Sequence, residues 1–305
     1  MPAGLLLAVL LLGYSWWLLA PRERHPRPEL RQHRGGAHPA TCFERVREGL
    51  PGGCAESRCR ARHELYERLA VAAKPRTGSG DWDLFRPDGD GRLQPVLEEL
   101  ATPVRAVVLR PEQGHVLWLK AALEASLRKV DAASHPVWWQ ATDMYHATLF
   151  HASTDVDPRP SPPRGVEEEE AAVARLARDS CRLQAVLETV LLTGSGSVVA
   201  CWQRAQGSEP AELRGRLRAE LPQAPERQTV SSPEILHTTV ARLAKPPGPR
   251  LPALQAAVAQ AAQAVCGRAI EFTSIAFVQE THRLALALGG QLEAHEMPLK
   301  DSCNP

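Results

Sequence analysis

The chain has 305 residues, 44% of them hydrophobic, and a formal net charge of +1. That length and apolar content allow one large or two modest domains with a substantial core. The near-zero charge argues against a protein that coats polyanions, and leaves room for a small cleft with local positive charge.

In chain order, Ala3 to Ala20 carries no charged residue, is rich in leucine and has Trp16 and Trp17 near its end. This is the lower length limit for a bilayer span and long for a signal-peptide core. No Lys or Arg precedes it, whereas Arg22, Arg24, Arg27, Arg31 and Arg34 follow, with Glu23 and Glu29 among them. Residues 1–20 are therefore expected to be a signal anchor or a signal peptide. A retained anchor gives a single-pass membrane protein with its downstream domain in the cytoplasm. A cleaved signal places that domain in the secretory-pathway lumen or outside the cell. Residues 21–41 are rich in Pro, Arg, His and Gly without an apolar period, and read as a flexible linker.

Residues 42–102 read as a cysteine-containing, mostly helical extension, with Cys42, Cys54 and Cys59 close together and a helical run from Arg60 to Ala73. A disulfide among these three is one use; seven cysteines in all leave at least one thiol free. No second Cys-x-x-Cys or His-x-x-x-His accompanies them, so a zinc site is not favoured. Asp88-Gly-Asp-Gly91 reads as a turn with solvated aspartates. In a calcium loop, Arg86 and Leu97 would occupy two required ligand positions.

Val104–Leu109 then reads as a buried strand, and Gly114–Val130 as an amphipathic helix with Leu117, Leu119, Leu123 and Leu127. Pro136 opens an expected hairpin running from Val137-Trp-Trp-Gln into Met144-Tyr-His-Ala-Thr-Leu-Phe150. Beyond the proline-rich stretch 154–164, Glu167–Glu170 opens a helix expected to reach about Leu192, its carboxylates complementing the helix dipole. A strand over Ser197–Trp202, a helix over Ala211–Glu220, a strand over Glu234–Leu243 and a helix over Leu251–Val265 follow. Ile270–Glu280 and Arg283–Leu288 are expected to form a last hairpin. Strands mixed with helices without strict alternation argue an α+β fold.

Two of these strands share a pattern. Tyr145-His-Ala-Thr-Leu and Leu236-His-Thr-Thr-Val each hold His-x-Thr-aliphatic, with His146 and His237 91 positions apart. In an extended strand alternate side chains share a face, so His146 and Thr148 point one way, as do His237 and Thr239. Ala147, Leu149, Thr238 and Val240 then face a packed layer. By the same alternation His151 faces away from His146, and Arg242 away from His237. Trp138, Trp139 and Phe150 could stack on a base, but read as packing residues.

The duplicated motif resembles that of the two-histidine phosphoesterases, which include 2′-5′ RNA ligase-like proteins and cyclic nucleotide phosphodiesterases. The resemblance runs from Pro103 to Leu299. Val104-Arg-Ala-Val-Val-Leu-Arg-Pro-Glu112 is similar to the family's opening strand and turn, and Leu236-His-Thr-Thr-Val-Ala-Arg242 to its second motif. It implies that residues 103–300 form two pseudo-symmetric lobes of antiparallel sheet, helices outside, with an active-site cleft between them. It also implies His146 and His237 as catalytic residues, and Thr148 and Thr239 as donors to the substrate phosphate.

Phosphodiester hydrolysis needs a base for the attacking oxygen and an acid for the leaving one, and imidazole can serve as either near neutral pH. The threonine hydroxyls can donate to non-bridging oxygens as charge builds on them. The reading needs no metal and no cofactor. Its partners are a nucleotide or RNA-end substrate and, through the N-terminal segment, a membrane, with the chain expected to be a monomer. The alternative is a catalytically silent, membrane-tethered module of the same fold that binds nucleotide or RNA.

Overall fold

The computed structural model describes residues 42–50, 57–72, 80–112, 114–130 and 136–301. The expectations for residues 1–20 and 21–41 lie outside the described residues. Among the described residues no helix is long and apolar enough to cross a membrane.

The extension begins with helices α1 (Cys42–Gly49) and α2 (Ser57–Ala72). A short hairpin of β1 (Phe85–Pro87) and β2 (Leu93–Pro95) follows. Its turn is the one expected at Asp88: one carboxylate oxygen accepts the N–H groups of Asp90 (3.0 Å) and Arg92 (2.8 Å). These bonds favour the ionised carboxyl, and the Arg92 N–H contributes most to lowering its pKa. The cysteines follow the sequence reading in part: one thiol is left free, but Cys42 has a distant partner. Cys42 bonds Cys266, across 224 residues, rather than a near neighbour. Cys59 and Cys181 are also disulfide-bonded, and Cys201 is a free, buried thiol.

The main body runs β3 (Glu99–Pro111), α3 (Leu117–Leu127), β4 (Val137–Trp139), β5 (Ala147–Ser153) and α4 (Pro163–Arg178). Next come β6 (Leu183–Leu192), β7 (Ser197–Gln206), α5 (Pro210–Glu220) and β8 (His237–Leu243). The chain closes with α6 (Leu251–Val265), β9 (Ala269–His282), α7 (Ala285–Leu288) and β10 (Leu292–Pro298). Eight strands form one sheet, in the order β4-β8-β7-β6-β9-β3-β5, with β10 also on β9; every strand pair in it is antiparallel. The fold is thus α+β. The two expected lobes are two halves of one sheet, joined where the first residues of β9 pair with β6.

One face of the sheet carries the main core. Leu119, Leu123 and Leu127 of α3, Val173 and Leu176 of α4, Leu213 and Leu217 of α5 and Leu254 and Val258 of α6 pack there with Leu109, Leu149, Trp202, Val240 and Phe272. The opposite face is covered differently in each half. Over β6 and β7 lie α1 and α2, with Val46, Leu50 and Cys59 against Val186. Over β3 and β9 lies α7, with Leu286 against Ala106, Val108, Ala276 and Val278.

Three expectations are corrected. The helix from Glu167 stops at Arg178, and Leu183–Leu192 is strand β6, bonded on both sides. Its run of Leu, Ala and Val is apolar on both faces, and such a run has no period that separates strand from helix. Val137–Trp139 does not form a hairpin with the first motif; it pairs with β8, Trp138 opposite Arg242. The partner of β9 in the last hairpin is β10, because Ala285–Leu288 is a buried helical turn, bracketed by Leu284 (φ 56°) and Gly289 (φ 77°).

Candidate active site

The two motif strands lie at or near opposite ends of the sheet order, yet the sheet curls until β5 and β8 approach, with Cα atoms within 8 Å. The Gln140 N–H donates to the Val240 carbonyl (3.1 Å), and the Tyr145 hydroxyl reaches the same oxygen at 3.5 Å. A stronger clamp comes from α5. Arg214, 8% exposed, donates from Nε to the Leu149 carbonyl (3.1 Å), from Nη2 to the Thr148 carbonyl (3.0 Å) and from Nη1 to the Pro233 carbonyl (2.5 Å). One guanidinium thus ties β5 to the segment that leads into β8.

Within each motif the expected alternation holds. His146, Thr148, His237 and Thr239 are half-buried, while Ala147, Leu149, Thr238 and Val240 are buried in between. His146 Nδ1 donates to the Met144 carbonyl at 2.9 Å, an oxygen that also accepts Gln140 Nε2 at 2.6 Å. That bond fixes the neutral tautomer and leaves Nε2 with its lone pair. Nδ1 of His237 has no hydrogen-bond partner among the described residues.

Burial disfavours the charged form of both imidazoles. Loss of hydration lowers the pKa of His146 to about 4; positive charge at Arg110, Arg242 and His237 adds to this, against the Met144 bond. His237 is likewise lowered to about 4, first by burial and then by Arg214. Each catalytic candidate therefore stands in a positive, poorly hydrated setting, and the charge of His237 is felt at His146.

Beyond the threonines the alternation breaks, in the same way in both strands. A bulge in β5, marked by a register shift between Val107 and Val108 of β3, sends Leu149 and Phe150 together into the core. A bulge in β8, opposite Val198 and Val199, does the same to Val240 and Ala241. An extra residue reverses the parity of all that follow. His151 therefore returns to the face of His146, and Arg242 to that of His237, correcting both sequence expectations. The two residues occupy equivalent places, five positions after each motif histidine. The pKa of His151 is lowered to about 4 by burial, against the Asp155 carboxylate. Arg242 pairs with Asp81 of the extension at 3.4 Å. Phe150 and Trp138 do pack, as expected: Arg218 lies over the Phe150 ring, and Trp138 meets Phe85.

Two further groups were not singled out from sequence. Arg110 lies on β3 just beyond the Val108–Thr148 and Leu109–Ala147 pairs, which aligns it with His146 on the same face. One of its Nη groups donates to the Asp143 carbonyl, and Nη1 has no partner among the described residues. Glu280 of β9 is buried and accepts the Leu286 N–H at 2.6 Å; burial raises its pKa to about 7, with Asp155 adding and Arg242 opposing. Among the described residues no group of three or more His, Cys, Asp or Glu is arranged to hold a metal ion.

No protein-family model and no curated protein matches the chain. Solved structures do show similarity. The Thermus thermophilus protein TT0787 is 17% identical and covers 66% of this chain and 100% of its own, with a TM-score of 0.45. Kluyveromyces marxianus Usb1 with uridine monophosphate is 13% identical over 64% of this chain and 98% of its own (TM-score 0.41). E. coli LigT complexed with NADP+ is 13% identical over 67% and 96% (TM-score 0.33). At these values no residue role is transferred. The fold and site by themselves define an α+β protein with paired His-x-Thr strands on one face of a curled sheet.

Proposed function

We propose that the chain is a phosphoric diester hydrolase of the two-histidine type. Its substrate is a cyclic phosphate or 2′-5′ phosphodiester of a nucleotide or RNA end. What supports this reading is the approach of the two His-x-Thr strands to each other, with His146 Nδ1 bonded to the Met144 carbonyl so that its Nε2 is left to accept a proton.

In hydrolysis of a cyclic phosphate, Nε2 of His146 takes a proton from water as its oxygen bonds to phosphorus. The bond from phosphorus to one ribose oxygen breaks, and His237, in its imidazolium form, protonates that oxygen. One water is consumed and a phosphomonoester results. A proton then returns from His146 to His237 through solvent. Thr148 and Thr239 donate to the non-bridging oxygens, and Nη1 of Arg110 supplies a charged donor beside His146. Imidazoles, hydroxyls and the Arg110 guanidinium supply every proton and donor in this scheme, so it invokes no metal.

We also place the domain in an oxidising compartment, the lumen of the secretory pathway or the exterior. Disulfides persist there, and thiol buffers in the cytosol reduce them; Cys42, Cys59, Cys181 and Cys266 are all disulfide-bonded.

The test is a panel of 2′,3′-cyclic and 3′,5′-cyclic nucleotides and 2′-5′ oligonucleotides, assayed with excess EDTA. Turnover that persists in chelator supports the reading. Tight binding of these compounds without turnover would identify the silent binding module instead.

A further inference from the structure

The start of β8 has an irregular ladder. Residues that face each other as a hydrogen-bonded antiparallel pair exchange two bonds, one in each direction. The Trp202 N–H donates to the Leu236 carbonyl at 2.9 Å. In place of the return bond, the Leu236 N–H donates to the Tyr66 hydroxyl oxygen at 3.1 Å. That hydroxyl shares its own proton between the Trp202 carbonyl at 2.8 Å and the Leu236 carbonyl at 2.9 Å. A phenol from α2, 170 residues away in sequence, is thus spliced into the ladder between β7 and the segment entering β8. Its side chain is 1% exposed, and burial raises its pKa well above the usual phenol value, so the hydroxyl keeps its proton.

The next residue is His237, opposite Cys201 on β7. Met144 orients the ring of His146, but Nδ1 of His237 has no such partner among the described residues. With no bond at Nδ1, its placement depends on the backbone from which it projects, and Tyr66 bonds that backbone at Leu236. The same extension grips the far end of β8, where Asp81 pairs with Arg242 and its N–H donates to the Ser195 carbonyl at 2.7 Å.

We propose that Tyr66 is a positioning residue for His237, making α2 a working part of the active site rather than an appendage. The proposal rests on the phosphoesterase reading for its kinetic consequence, but not for its structural one. In Tyr66→Phe the ring stays and the hydroxyl goes. Leu236 N–H and the Trp202 carbonyl are then left unpaired or close on each other, and either outcome turns His237. The expected result in the full chain is a fall in kcat of about tenfold or more with KM changed less than about twofold, because alignment in the transition state is lost rather than binding.

A second readout is the imidazole titration of His237, followed by NMR on histidine-labelled protein, with His151, whose pKa is set by burial and Asp155, as internal reference. It should move in Tyr66→Phe while that of His151 does not. Unchanged kcat together with an unmoved His237 titration overturns the proposal. If the wild-type chain turns over no phosphodiester at all, the phosphoesterase reading fails and the NMR comparison still decides the role of Tyr66. If Tyr66→Phe does not fold, amide exchange in the wild type decides: a Leu236 N–H as protected as the interior of β8 supports the inserted hydroxyl, and rapid exchange overturns it.

Discussion

Arg214 Nη2 donates to the Thr148 main-chain carbonyl at 3.0 Å, from a helix that touches neither histidine side chain by hydrogen bond. Its other donors reach Leu149 and Pro233, so one buried cation fixes the spacing between the two motif strands. Burial also lowers its pKa, to about 10. Arg214→Met should therefore cost about 2 to 4 kcal/mol in urea denaturation, since it leaves buried carbonyls without donors. Activity should fall by more than the folded fraction does; a stable, fully active variant would show that the clamp is not needed.

His146→Ala and His237→Ala should each lower kcat by about 10²-fold or more, and the double variant little beyond the worse single, because the pair acts as a unit. Steady-state assays of the three variants at equal folded concentration check this. Additive losses would mean the two imidazoles act in separate steps.

The pH dependence follows from both imidazoles being lowered to about 4 in the free protein. The reaction needs one proton on the pair, and that state is most populated near pH 4. Above about pH 5, kcat/KM should fall about tenfold per pH unit, the limbs belonging to the coupled pair. A bound phosphate anion favours the imidazolium, so the falling limb of kcat should lie at higher pH. A kcat/KM that rises from pH 5 to 8 would rule out a singly protonated pair as the reactive state.

Arg110→Met removes the charge beside His146 and the unpartnered Nη1. It should lower kcat/KM by about 10- to 100-fold through loss of a charge-assisted bond to phosphate. It should also let the His146 titration rise, since Arg110 is one of the charges that depress it. An unaltered kcat/KM would remove Arg110 from the site.

Stability against pH has opposing parts. His146, His151 and His237 bind protons more weakly folded than unfolded, so between about pH 4 and 6.5 they make stability rise with pH. Glu280, raised to about 7, does the reverse: its contribution is present below the unfolded carboxyl pKa and is lost as pH climbs to about 7. Glu280→Gln should therefore steepen the rise of stability between pH 4.5 and 7, by at most about 1.4 kcal/mol per pH unit. Urea midpoints at pH 5 and pH 7 measure the difference, and an unchanged slope would mean Glu280 titrates normally.

The sequence by itself determined what depends on near neighbours. Alternation along an extended chain set His146 beside Thr148 and His237 beside Thr239, and placed Leu149 in the first motif strand and Val240 in the second toward the core. It also located α5 and α6, and the turn that Asp88 closes with its own following amides. Only the tertiary structure decided what depends on a partner strand. The bulges that return His151 and Arg242 to the face of the motif histidines are mismatches of length between two strands, and neither strand shows them alone. The choice of β8 over β5 as partner for β4, and the strand state of Leu183–Leu192, are expressed in pairing with other strands, which the local pattern does not specify. Tyr66, Arg214 and the Cys42–Cys266 bond act across more than sixty residues, where local pattern carries no signal and only the packed chain brings donor to acceptor.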